Sequence, residues 1–211
     1  MDPIMDKYRR WNNITGWLIF LISAVVYLLT VEPTMSFWDC GEHILASYRL
    51  QVGHPPGAPL FLMISRIAAL FAGSDNTKVP LMLSRASAVT SAFAILFLFW
   101  TITHLVRRVI TRKAPLEARQ IPLILGSGII GALAYTFTDS FWFSAVEAEL
   151  YALSSLILGF VFTPARWLIR RIDIDEFRWV PGASDSMPCI IALGKEDVGH
   201  VGLIALEYLQ S

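Results

Sequence analysis

Cysteine and charge are both scarce in this sequence. Two cysteines, Cys40 and Cys189, stand among 211 residues, too few for a disulfide framework or a thiolate zinc site. Charged residues make up 16%, against about 25% in a soluble globular domain. Neither sign is in excess: Lys plus Arg number 17, and so do Asp plus Glu. The chain therefore has no global field to attract a nucleic acid. Phosphate-cradling glycine loops, dinucleotide fingerprints and zincin motifs are missing too, which leaves the soluble catalytic classes without support. Apolar residues are what it does have, at 55%, with a mean hydropathy of +0.56. This excludes a disordered, collagen-like or disulfide-rich secreted chain and points to the membrane.

A spanning helix needs roughly 20 mostly apolar residues. Four stretches come close: about 14–31, about 86–106, about 120–138 and about 150–165, the last lengthened if Glu147 and Glu149 sit at the interface. A fifth run, 58–73, carries Arg66 in its middle. The basic clusters arbitrate, because short cytoplasmic loops collect Lys and Arg. These are Lys7, Arg9 and Arg10; then Arg107, Arg108, Arg112, Lys113 and Arg119; then Arg166, Arg170 and Arg171. Four spans put all three clusters on one side, whereas a crossing by 58–73 would split them. Residues 58–73 thus read as an interfacial or re-entrant helix. The N-terminal apolar run is followed by VEPTMSFWD and no small-residue cleavage site, so it reads as an uncleaved span. The fold class is all-α: a polytopic bundle of about four transmembrane helices plus outer-face interfacial helices.

That topology gathers 32–85 and 139–151 on the outer face, with Glu32, Asp39, Glu42, Asp75, Asp139, Glu147 and Glu149. Asp39 and Glu42 share one face of an amphipathic helix. A helix cap accounts for Asp39 and a first-turn charge for Glu42; a functional pair of carboxylates is the other reading. His54-Pro55-Pro56-Gly57 makes a rigid break. His54 is either a turn residue or a donor facing a phosphate. Arg49 and Arg66 suit the same phosphate role, and Arg66 equally suits snorkelling. Glu147 and Glu149 either complement a helix dipole or line a cavity. Gly128 and Ala132 form a small-xxx-small pair expected to pack helices closely.

At these outer-face residues the run TVEPTMSFWDCGEHILASYRLQVGHPPGAPLFLMISRIAALFA closely resembles a bacterial multi-pass membrane family, formerly of unknown function. Its eukaryotic relatives are transmembrane protein O-mannosyltransferases. LFLFWTITHLVRR and FWFSAVEAELYALSSL look like the same family, and the resemblance covers roughly residues 10–158. It implies a C-type glycosyltransferase that takes a sugar from a polyprenyl-phosphate lipid on the outer face. The lipid-linked sugar, membrane lipid and a polypeptide Ser or Thr acceptor would be its partners, with no nucleic acid. The implied location is the bacterial inner membrane, with the N-terminus cytoplasmic and the site periplasmic. Asp39 matches the acidic residue of the family's first external loop, and Glu42 lies beside it; these are the catalytic candidates. His54, Arg49, Arg66, Glu147 and Glu149 are the substrate-binding candidates. No metal ligand is assigned, and divalent-metal dependence is left open because related enzymes differ.

The resemblance divides the chain into a membrane domain, 1–165, and a divergent polar tail, 166–211. The abrupt change near Pro164 suggests truncation or a frame shift, leaving this chain inactive by itself. A small non-enzymatic membrane scaffold is the alternative. A transporter would need mid-membrane ionisable groups and paired repeats, which the sequence lacks.

Overall fold

The structure is a computed structural model that describes residues 3–36, 39–54, 57–112 and 114–171, the last eleven by backbone alone. No strand occurs among the described residues, so the expected all-α class holds. The helices are α1 (Pro3–Thr30), α2 (Cys40–Arg49), α3 (Pro59–Leu70), α4 (Val79–Ile110), α5 (Ile121–Thr136), α6 (Asp139–Val146) and α7 (Leu150–Arg171). Residues 1–163 form one compact unit and 164–211 a second. Residues 172–211, most of the polar tail with its Pro181-Gly182 break, lie outside the described residues, as do Pro55 and Pro56.

Helix length sorts the elements. A bilayer core about 30 Å thick needs about 20 residues at 1.5 Å each. Helix α1, α4 with its preceding turn, and α5 with its preceding turn are long and apolar enough to cross. A fourth span follows if α6 and α7, bent by 108° at their junction, are counted together. Helix α3 has twelve residues, about 18 Å, too short to cross. Segment 139–151, which the sequence places on the outer face, holds a separate short helix, the Glu147–Glu149 break and the start of α7.

Proline at the first helical positions starts α3, α4 and α5, where its missing N–H costs nothing. Close packing then sets the bundle. Gly128 of α5 is buried, and a Cβ there would fall 2.5 Å from Thr103 and 2.7 Å from Phe99 of α4. Ala132, one turn on, is fully buried. The small pair thus lets α4 and α5 approach, as expected.

The two ends of the bundle differ in chemistry. At one end, Tyr8, Leu116, Ile121 and Ile124 cluster with Met5 and Val106. There Arg107 donates to Met5 Sδ at 3.3 Å and lies 5.3 Å over the Tyr8 ring. The first two basic clusters therefore lie at the same end of the bundle. At the opposite end, Tyr27 donates to the Thr136 carbonyl at 2.9 Å, and the Glu32 N–H donates to the Val146 carbonyl at 3.0 Å. Helices α2 and α3 pack there against the start of α4, with Cys40, Ile44, Ala69, Ala72, Val79 and Leu83 in one cluster. The side chains of Arg166, Arg170 and Arg171 lie outside the described residues.

Candidate functional site

Helix α2 begins immediately after Asp39, which occupies the N-cap position. Its backbone carbonyl accepts the His43 N–H at 2.9 Å, but its carboxylate makes no capping bond. The capping account of Asp39 is therefore not met: its side chain is exposed and points elsewhere. Helix α2 ends at Leu50, whose φ of 51° places it in the left-handed region that closes helices. The Gln51 N–H then returns to the Ala46 carbonyl at 2.9 Å. This reversal carries the chain back along α2 to its first turn.

His54 lands between the two acids. Its N–H donates to Glu42 Oε1 at 2.6 Å, and its ring Nδ1 lies 2.9 Å from Glu42 Oε2. Its Nε2 lies 4.0 Å from Asp39 Oδ2. Glycine at 53 permits the approach, since a Cβ there would stand 3.1 Å from Glu42 Oε1. The hydrogen bond to Glu42, then the charges of Glu42 and Asp39, push the His54 pKa above its ordinary value of 6.5. The same bonds hold the Glu42 carboxyl below its ordinary value. His54 is thus a turn residue, its carbonyl accepting the Gly57 N–H at 2.9 Å, and also an acid-paired imidazole.

A second layer lies behind this exposed group. His43, a turn beyond Asp39, is largely buried, with Nδ1 3.9 Å from Glu149 Oε2 and its ring 5.4 Å from Phe61. That gap exceeds a hydrogen bond, and His43 Nδ1 has no hydrogen-bond partner among the described residues. Glu149 sits just ahead of α7, where burial pushes its pKa up against the pull of His43; Glu147 and Asp39 add to the rise. Cys40 is buried and its thiol is pushed up by burial, partly offset by backbone hydrogen bonds at Ser36 and Ala148. These contacts seat the start of α2 against the α6–α7 break. His43 went unnoticed in the sequence, although Asp39, Glu42 and His43 follow the i, i+3, i+4 spacing of one helical face.

The arginines stand apart. Arg66 of α3 donates to the Tyr48 carbonyl at 2.7 Å and lies 5.2 Å over the Tyr48 ring. It therefore caps the C-terminal end of α2. Arg49 is exposed at that same end. No contact among the described residues joins either arginine to Asp39, Glu42 or His54. Asp75 is taken up locally, accepting from Thr77 and pairing with Lys78 at 3.1 Å.

Chemically, the group offers an exposed carboxylate at Asp39 beside an imidazole held by a second carboxylate. Such a set can take a proton, or orient a hydroxyl. Asp39, Glu42 and His54 each present one ligand atom within 4.8 Å of the others, and carboxylate with imidazole also suits a divalent cation.

The profile of the protein O-mannosyl-transferase TMEM260 N-terminal domain matches residues 39–184. The chain belongs to this family. The match begins at Asp39 itself and runs beyond residue 158, where the resemblance was expected to stop. Over 153 residues, 72% of this chain, it is 23% identical to protein O-mannosyl-transferase tmem260 of Dictyostelium discoideum. Over 146 residues, 67% of this chain, it is 30% identical to protein O-mannosyl-transferase TMEM260 of Mus musculus. These stretches cover 17% and 18% of the two relatives, so the chain spans less than a fifth of their length. No solved structure matches the chain.

Proposed function

We propose that this chain forms the N-terminal part of a membrane O-mannosyltransferase, with Asp39 as general base on a Ser or Thr hydroxyl of a polypeptide. The donor in this reading is a polyprenyl-phosphate-linked mannose. The observation that carries it is the junction at the start of α2. Asp39, Glu42 and His54 meet there, exposed to solvent, within the family-matching segment and at the end of the bundle away from the first two basic clusters.

The chemistry is a single displacement. The acceptor oxygen attacks the anomeric carbon on the face opposite the phosphate and forms the new C–O bond. The bond from that carbon to the phosphate oxygen breaks, and the lipid phosphate leaves with the electron pair. The hydroxyl proton passes to Asp39, whose carboxylate must lie within hydrogen-bond reach of it. Charge develops on the departing phosphate, and a positioned cationic donor stabilises it. His54 fits that role best, because its hydrogen bond to Glu42 raises its pKa and so favours the protonated ring. Arg49 is exposed at the far end of α2, apart from this group, while Arg66 holds α2 in place. Glu42 positions His54, and Glu147 and Glu149 border the acceptor side.

Membrane orientation follows the charge rule: the basic end is cytoplasmic and the Asp39 end is external. The test is Asp39→Asn in a longer relative, reconstituted with lipid-linked mannose and a Ser/Thr peptide. Loss of a general base lowers transfer by about 10²–10⁴-fold, with helical content unchanged. Transfer at the parent rate removes the assignment.

A further inference from the structure

The Asp39 end of the bundle holds a second concavity, separate from the Asp39–Glu42–His54 group. It is an open cleft of about 440 Å³ between the end of α1 and helix α6. That is within the range of ligand sites, about 300–1,000 Å³. Phe137, Trp142 and Phe143 wall it, and Glu32, Asp139 and Glu147 reach it. Its frame is tied in place. The Glu32 N–H is bonded to the Val146 carbonyl at 3.0 Å. The Trp142 ring is held edge-on by Tyr27, with centroids 5.8 Å apart, and lies 5.8 Å from Phe137 at a tilt of 34°.

Among the described residues that line this cleft there is no Lys, Arg or His. Three carboxylates would repel the phosphate of a lipid-linked donor, so the cleft is not the donor's seat. Aromatic faces beside carboxylates instead match a cation, which is drawn to the ring quadrupole and to the acids together. The cleft also adjoins the reacting group. Glu147 on its rim is followed by Ala148, which packs with Cys40 and Ile44 of α2, and then by Glu149, which feels the charge of Asp39.

We propose that this cleft is an acceptor subsite that takes a lysine or arginine side chain of the polypeptide, close to the residue whose hydroxyl is modified. This rests on the reading of the chain as part of a protein O-mannosyltransferase. The basic side chain lies against Trp142 and Phe143 between Asp139 and Glu147, and the neighbouring Ser or Thr is presented toward Asp39. The acids then select for acceptor sequence and exclude the donor phosphate.

Binding can be read without turnover, so the Asp39 assignment and this one fail separately. The purified 211-residue chain in detergent would be titrated with labelled Ser/Thr peptides flanked by lysine, by neutral residues or by glutamate, with fluorescence anisotropy as the readout. The lysine peptide binds about tenfold tighter than the neutral one, about 1.4 kcal/mol, and the glutamate peptide binds weakest. The preference shrinks as salt screens it. Asp139→Asn and Glu147→Gln, each checked for retained helicity, reduce it to about twofold. Equal binding of lysine and neutral peptides overturns the proposal. So does a preference that resists both salt and the two substitutions, or competition by a neutral methyl glycoside in place of the lysine peptide. If neither variant folds, Phe143→Leu, which removes a ring of the cleft and no charge, lowers the preference likewise, and a preference unchanged by it overturns the proposal.

Discussion

At the scale of single residues, the pairing of Glu42 with His54 is the feature with the clearest physical signature. The His54 pKa is raised and the Glu42 pKa is lowered, each first by the hydrogen bond they share. A raised histidine contributes fully below its unfolded value and loses that contribution as pH rises through the folded value. A lowered glutamate contributes fully above its unfolded value and loses it as pH falls through the folded value. The ordinary values are 6.5 and 4.5, so the pair is complete between them, fading above and below. Proton NMR of the His54 ring in detergent should give a midpoint above 6.5, and Glu42→Gln should bring it down. A midpoint unmoved by Glu42→Gln would show that the two side chains are not paired in solution. Asp39 and Glu42 were legible in the sequence because three-residue spacing fixes a common helical face. The His43–Glu149 contact was not, since its partners lie on elements that only tertiary packing brings together.

At the scale of elements, hydropathy revealed α1, α4 and α5 because their apolar runs come close to the roughly 20 residues that a span needs. Amphipathic spacing revealed α2, and the proline after Ala58 set the start of α3. The break between α6 and α7 stayed hidden. Residues 146–150 read Val-Glu-Ala-Glu-Leu, with neither glycine nor proline to mark a turn. Good helix formers such as Ala, Glu and Leu are here bent by the packing of Ala148 against α2. The glycines of α5 allow a sharp comparison. Gly126 has nothing within 4 Å of where a Cβ would stand, whereas at Gly128 that Cβ meets Thr103 and Phe99 below 3 Å. Gly126→Ala should therefore stabilise the bundle by about 0.5–1 kcal/mol through helix propensity. Gly128→Ala should destabilise it by about 1–3 kcal/mol through overpacking. Thermal unfolding in detergent measures both, and shifts of the same sign would refute the close α4–α5 approach.

At the scale of the whole molecule, the account rests on a separation of charge along the bundle. The clusters around Lys7 and Arg107 lie at one end. Asp39, Glu42, His54 and the acidic cleft gather at the other. The positive charges were legible because membrane topology depends on simple counts of Lys and Arg. Which acids would converge was not, because that depends on how the α2 reversal and the α6–α7 break fold back on the spans. The central claim is that the reacting group lies on the membrane face opposite the basic one. Single cysteines introduced as Glu42→Cys and Arg112→Cys, in a background with Cys40→Ala and Cys189→Ala, test it in sealed membrane vesicles with an impermeant thiol reagent. The account predicts that the two positions label from opposite sides, Glu42→Cys from the external one. Labelling of both from the same side would contradict it.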